Sequence, residues 1–179
     1  MIGNSYNMLD FKFFYFGGQF QFRYEDYSYD VISKDYRSLI LQDPKKFINK
    51  PAKGYYHLSD NVLYVGPFYF YDNKYETPPQ DKVVTTESEA VSIATHCVFV
   101  LSNGAAPGTV TEIINATFRK KNVIIFYETN NSGDPIQNDL WYALIFAKHN
   151  NENCILKECP TYQDAVNECL TYVNNIIND

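Results

Sequence analysis

Cysteine, tryptophan and methionine are scarce in this 179-residue chain, with four, one and two copies. The four cysteines, Cys97, Cys154, Cys159 and Cys169, lack the C-x-x-C spacing of a structural zinc site. They read as buried free thiols in a reducing compartment, and no metal site is expected. Long apolar runs are absent too. No stretch approaches the ~20 residues that a membrane-spanning helix needs. Residues 1–10 show no basic region followed by an apolar run, the mark of a secretory signal. The expectation is a cytoplasmic protein with no membrane partner. Positive charge is also limited, with 15 Lys and Arg against 21 Asp and Glu and a formal net charge of −6. The basic runs are only Lys45-Lys46 and Arg119-Lys120-Lys121. Nucleic-acid binding calls for a basic stripe, so no nucleic-acid partner is expected.

Aromatic residues are abundant, with 16 Tyr and 13 Phe. Asn, Ile and Lys are plentiful as well, and an AT-rich genome favours all of these. The functional alternative is a site walled by rings that stack on a base. Hydrophobic residues make up 45% and charged residues 20%. Those values fit an ordinary globular protein, here one domain over residues 1–179.

Apolar patterning alternates strands with helices. Residues 11–16 read as a strand stopped by Gly17-Gly18, and residues 30–42 carry a weak helical period ended by Asp43-Pro44. Residues 62–65 form a second strand, stopped by Gly66-Pro67, and residues 72–80 read as loop. Residues 86–95 read as a helix with Thr86 as N-cap and His96 beside its C-terminal dipole. Residues 97–101 and 123–127 are continuous apolar runs typical of central parallel strands. Residues 109–120 and 136–148 read as helices, 154–156 as a short strand and 161–177 as the closing helix. The fold class is α/β, a flavodoxin-like or Rossmann-like parallel sheet of about five strands flanked by helices.

In such sheets the ligand crevice lies beyond the carboxyl ends of the strands. That nominates residues 17–20, 66–72, 102–108 and 128–135. The third segment, Ser102-Asn103-Gly104-Ala105-Ala106-Pro107-Gly108, has small residues that let a ligand approach the backbone. Glu112 follows one turn into the next helix, where its carboxylate can face the crevice. The same residue also fits a capping box, Thr109-x-x-Glu112, in which it would only satisfy the helix start. Spacing alone favours the capping role over the catalytic one. His57, His96 and His149 form no recognisable set.

The order of several motifs resembles the nucleoside 2-deoxyribosyltransferase family. Tyr15-Phe16-Gly17-Gly18-Gln19-Phe20 resembles that family's first strand and glycine turn. Tyr64-Val65-Gly66-Pro67, followed by Asp72-Asn73-Lys74-Tyr75, resembles its second strand and loop. Pro107-Gly108-Thr109-Val110-Thr111-Glu112-Ile113 resembles the motif whose glutamate is the nucleophile. Gly133-Asp134-Pro135-Ile136-Gln137-Asn138, with Trp141 beyond, resembles the segment that completes a neighbouring subunit's site.

The resemblance implies transfer of a 2-deoxyribosyl group between bases through a covalent sugar–Glu112 ester, with no cofactor. It implies that Tyr15 fixes the Glu112 rotamer. It also implies a sugar-orienting carboxylate early in the preceding helix, where Glu87 and Glu89 compete. Glu87 lies three residues before Ala90 on the inward face and is preferred. Gly17, Gly18, Phe20, Phe68, Asp72, Asn103, Gly108, Thr109 and Asn138 are the expected substrate-binding residues. The expected partners are a nucleoside, a free base and further copies of the chain in a homo-oligomer. One position departs from the family pattern. Ala106 stands where an aspartate six residues before the nucleophile handles the departing base, so Asp72, Glu128 or a water would have to replace it. Alternatives are an N-glycoside hydrolase on a nucleoside or nucleotide, with Arg23 and Ser102 as candidates for a phosphate, and a non-catalytic nucleotide-binding module.

Overall fold

A computed structural model describes residues 11–20, 29–48, 54–69, 80–102, 107–129 and 140–178. The elements run β1 (Lys12–Gly18), α1 (Tyr29–Ile32), α2 (Tyr36–Leu41), α3 (Pro44–Phe47), β2 (Tyr56–His57), β3 (Val62–Gly66), α4 (Gln80–Ile93), β4 (His96–Leu101), α5 (Pro107–Phe118), β5 (Asn122–Glu128), α6 (Leu140–Asn150), β6 (Cys154–Cys159) and α7 (Tyr162–Asn178). They form a six-stranded sheet in the order β2-β3-β1-β4-β5-β6. Five strands are parallel, and the short β2 pairs antiparallel with β3 at one edge. The α/β class is as expected, and β2 adds a sixth strand to the five.

Strand alternation divides the core into two layers. Phe14 and Phe16 of β1, Val98 and Val100 of β4, and Ile124 and Phe126 of β5 face α2 and α7. Tyr15, Cys97, Phe99, Leu101, Val123 and Ile125 face α4, α5 and α6. This two-sided burial explains the continuous apolar runs of β4 and β5. The chain leaves β1 toward β3 on one side and returns as β4 on the other. The crevice between the carboxyl ends of β1 and β4 is therefore the topological switch point of the sheet.

Several local expectations are corrected. Residues 30–42 are two short helices, because Asp35 caps α2 by accepting from the Arg37 amide at 2.9 Å. Asp43-Pro44 ends that helix and also starts α3, where Asp43 accepts from the Lys45 amide at 2.9 Å. Thr86 is no N-cap, because α4 begins six residues earlier at Gln80. His96 is the first residue of β4, not a partner of a helix dipole. Its ring stacks on Phe14 at 4.7 Å, and burial lowers its pKa to about 4, which keeps it neutral. Helix α5 ends at Phe118, and left-handed Lys120 (φ 54°) closes it while the Lys121 amide reaches back to the Ala116 carbonyl at 3.1 Å. No described helix is long and apolar enough to cross a membrane.

Candidate active site

The glycine turn that ends β1 is the floor of the crevice. Gly17 and Gly18 pair with Phe99 and Val100 of β4. A side chain at Gly17 would run into the Phe99 ring and come within 2.7 Å of Glu112 Oε2. Glycine is required there because the carboxyl group of α5 rests directly on its backbone. Gly18 has φ +138°, and a Cβ on it would strike the Val100 carbonyl. Ser102, at the end of β4, donates to Gln19 Oε1 and ties the two strand ends together.

Three functional groups meet above this floor, from three different elements. Tyr15 comes from β1, Glu87 from α4 and Glu112 from α5. The Tyr15 hydroxyl and Glu112 Oε2 are fully buried, and neither makes a hydrogen bond of good geometry. Burial pushes the Glu112 carboxyl well above its ordinary value of 4.5, and the charge of Glu87 pushes it further. The neighbouring Tyr15 hydroxyl and the Arg37 charge pull the other way. Glu87 is also raised by burial, and it faces Glu112 closely enough to share a hydrogen bond with it. Tyr15 is raised well above 10 by burial and then by both carboxylates, so it remains a neutral donor. Two carboxyl groups in this arrangement titrate as a pair and hold a proton between them more readily than either would alone.

Helix α5 begins at Pro107, so Thr109 is its third residue and is buried inside the first turn. Thr109 therefore cannot serve as N-cap, and the capping-box reading of Glu112 fails. Glu112 is the sixth residue of the helix, too far along to satisfy its start. Of the two carboxylates on α4, Glu89 is exposed, whereas Glu87 is half-buried beside Glu112.

The remaining expected residues are dispersed. Gly108 faces open space at the head of α5. Phe20, at 39% exposed, lies on the rim above Arg37. Phe68 is buried among Tyr56 and Tyr64 in the α7-side core, away from the carboxyl pair. Glu128, half-buried, ends β5. Asp72, Asn103, Asn138, Ala106 and Arg23 lie outside the described residues. Among the described residues no cluster of three or more His, Cys, Asp or Glu could hold a metal.

One group beneath the turn is invisible to motif and spacing. Arg37 and Asp35 form a buried ion pair at 2.7 Å, each at most 4% exposed. Its only sequence signal is a cap-forming Asp two residues before an Arg, which is common on surfaces.

No family model matches the chain, and no curated protein matches it. Among solved structures it is similar to a CMP N-glycosidase of Clostridium botulinum, BcmB, at 14% identity and a TM-score of 0.48, with 90% of this chain and 99% of that chain covered.

Proposed function

We propose that this protein breaks the N-glycosidic bond of a nucleoside or nucleotide, with Glu112 as nucleophile, and that 2-deoxyribosyl transfer between bases is its reaction. The observation that carries the reading is the buried Glu112 carboxyl, facing Glu87 and Tyr15 at the switch point with Oε2 unpartnered. A structural carboxylate would be saturated with donors, whereas Oε2 of this one has none of good geometry, which fits a group used in chemistry. Displacement at C1′ suits it. A Glu112 oxygen forms a bond to C1′ as the C1′–N bond breaks, and the electron pair leaves with the base. The pair's proton passes to Glu87, which leaves Glu112 ionised under the Tyr15 hydroxyl. That proton is then available to the departing base, directly or through a water, although Ala106 supplies no acid. A second base attacking C1′ completes transfer, and water completes hydrolysis.

Incubation with deoxyinosine and free adenine tests this by chromatography. Deoxyadenosine formed in step with hypoxanthine is the expected result. Hypoxanthine with free deoxyribose would make the enzyme a hydrolase. No turnover across purine and pyrimidine nucleosides and their monophosphates, with binding intact, would leave a binding module. If Asn138 completes a neighbour's site, light scattering on active protein shows an oligomer, and an active monomer rules that role out.

A further inference from the structure

The carbonyls of the glycine turn are all taken by one helix. Tyr36 donates its hydroxyl to the Gly17 carbonyl at 2.5 Å. Arg37 Nη1 donates to the Gly18 carbonyl at 3.2 Å, and Nη2 donates to the Gln19 carbonyl at 3.4 Å. The rest of the guanidinium fork is spent on Asp35, with Nε to Oδ1 and Nη2 to Oδ2, both at 2.7 Å. Rings of Phe20, Tyr36 and Phe47 surround the guanidinium carbon at 4.3, 5.0 and 5.3 Å. A planar fork held on four sides has no rotamer freedom left, so the turn it holds is fixed as well.

Buried ion pairs often add little net stability, because desolvation offsets their attraction. This one sits on the α2 side of the sheet end, directly across the turn from the Glu87–Glu112 pair. Gly17 touches both groups, with its carbonyl bound by Tyr36 next to Arg37 and its Cα under Glu112.

We propose that Arg37 is a positioning residue for the carboxyl pair: its fork fixes the turn on which Glu112 rests, and its charge faces the pair through the end of the sheet. The catalytic part of this statement rests on the function proposed above, whereas the electrostatic part does not. Among the described residues, the titratable groups that interact with the pair are Tyr15 on β1, Cys97 on β4 and Arg37 on α2. Among them Arg37 is the cation, and it favours the ionised form of both Glu87 and Glu112.

Two variants separate charge from fork. Asp35→Asn/Arg37→Met replaces the ion pair by neutral side chains of similar size and avoids an orphaned charge. Arg37→Lys keeps the charge and loses the fork. Carboxyl carbons of labelled glutamate are followed by NMR against pH, without substrate. The midpoint of the Glu87–Glu112 pair should rise by half a unit or more in the neutral double variant and stay at the wild-type value in Arg37→Lys. Amide exchange of Gly17 and Gly18 should quicken in both. In the N-glycoside assay, Arg37→Lys should lower kcat at least tenfold with KM within about twofold, and the acid limb of the pH profile should not move. An unchanged midpoint in the folded double variant overturns the electrostatic role. Full kcat with wild-type amide exchange in Arg37→Lys overturns the positioning role. Should the double variant not fold, Asp35→Asn/Arg37→Gln, which is also neutral and keeps hydrogen-bonding groups at both positions, is titrated in its place with the same criterion. A wild-type protein without glycosidic activity but with the expected NMR shifts would sink the proposed function and leave the electrostatic role standing.

Discussion

Two pairs of ionisable groups flank one glycine turn, and they are built on opposite principles. Asp35–Arg37 is an opposite-charge pair whose donors and acceptors are nearly all used, on each other, on the α2 amide and on the turn carbonyls. Glu87–Glu112 is a like-charge pair, with one carboxyl oxygen and the facing Tyr15 hydroxyl left without partners. The first is a structural solution, because satisfied polar groups are tolerated in a core. The second is a stability cost, and such costs concentrate where chemistry is done. The turn between them transmits the order of the first pair to the second.

The contrast between the pairs can be tested at either end. The largest effect is expected at the unsatisfied end. Glu112→Gln should reduce N-glycoside turnover on the order of a thousandfold or more, since a covalent nucleophile is lost. Activity within tenfold of wild type would remove Glu112 from the nucleophile's role. At the satisfied end, Asp35→Ala should cost about 3–5 kcal/mol of stability, measured by urea unfolding, because it orphans a buried guanidinium. A loss below about 1 kcal/mol would mean the pair is not buried as described.

The turn itself is the next target. Gly17→Ala places a methyl group into the Phe99 ring and beside Glu112 Oε2. It should destabilise by about 1–3 kcal/mol and lower turnover further than its stability loss explains. Stability loss alone, with kcat intact, would show that Glu112 does not depend on the turn.

The smallest effect is a dependence of stability on pH. Glu112 has a folded pKa raised above its unfolded value near 4.5. Its neutral form is therefore favoured by folding. The associated stability is fully present below about pH 4.5 and is lost as pH rises through the folded value. Glu112→Gln should be nearly neutral at pH 4 and more stable than wild type at pH 7, as read from urea unfolding at the two pH values. A stabilisation that shrinks with rising pH would contradict the raised carboxyl.

The segments that lie in the core are legible in the amino-acid sequence. Residues 97–101 and 123–127 are apolar without interruption because the strands they form are covered on both faces, and composition alone carries that signal. The helix starts are less legible. Thr86 and Thr109 both precede a glutamate by three residues, the pattern of a cap, yet both lie inside helices that begin earlier. Capping residues and helix interiors share the same amino acids, so local spacing cannot separate them. The Asp35–Arg37 pair is illegible for a related reason. Charged residues at short spacing are normally solvated, whereas here the rings of Phe20, Tyr36 and Phe47 gather around the guanidinium.

Local properties of the chain dictate the alternation of strands and helices, the parallel character of the central sheet and the glycine turn after its first strand. These follow from apolar periodicity and from glycine's conformational range. The nature of Glu112 is a tertiary matter. The choice between a cap and a buried, unpartnered carboxyl depends on where α5 begins and on Tyr15 and Glu87, which come from two other elements. Burial and pairing arise between segments distant in sequence, and no spacing within one segment encodes them.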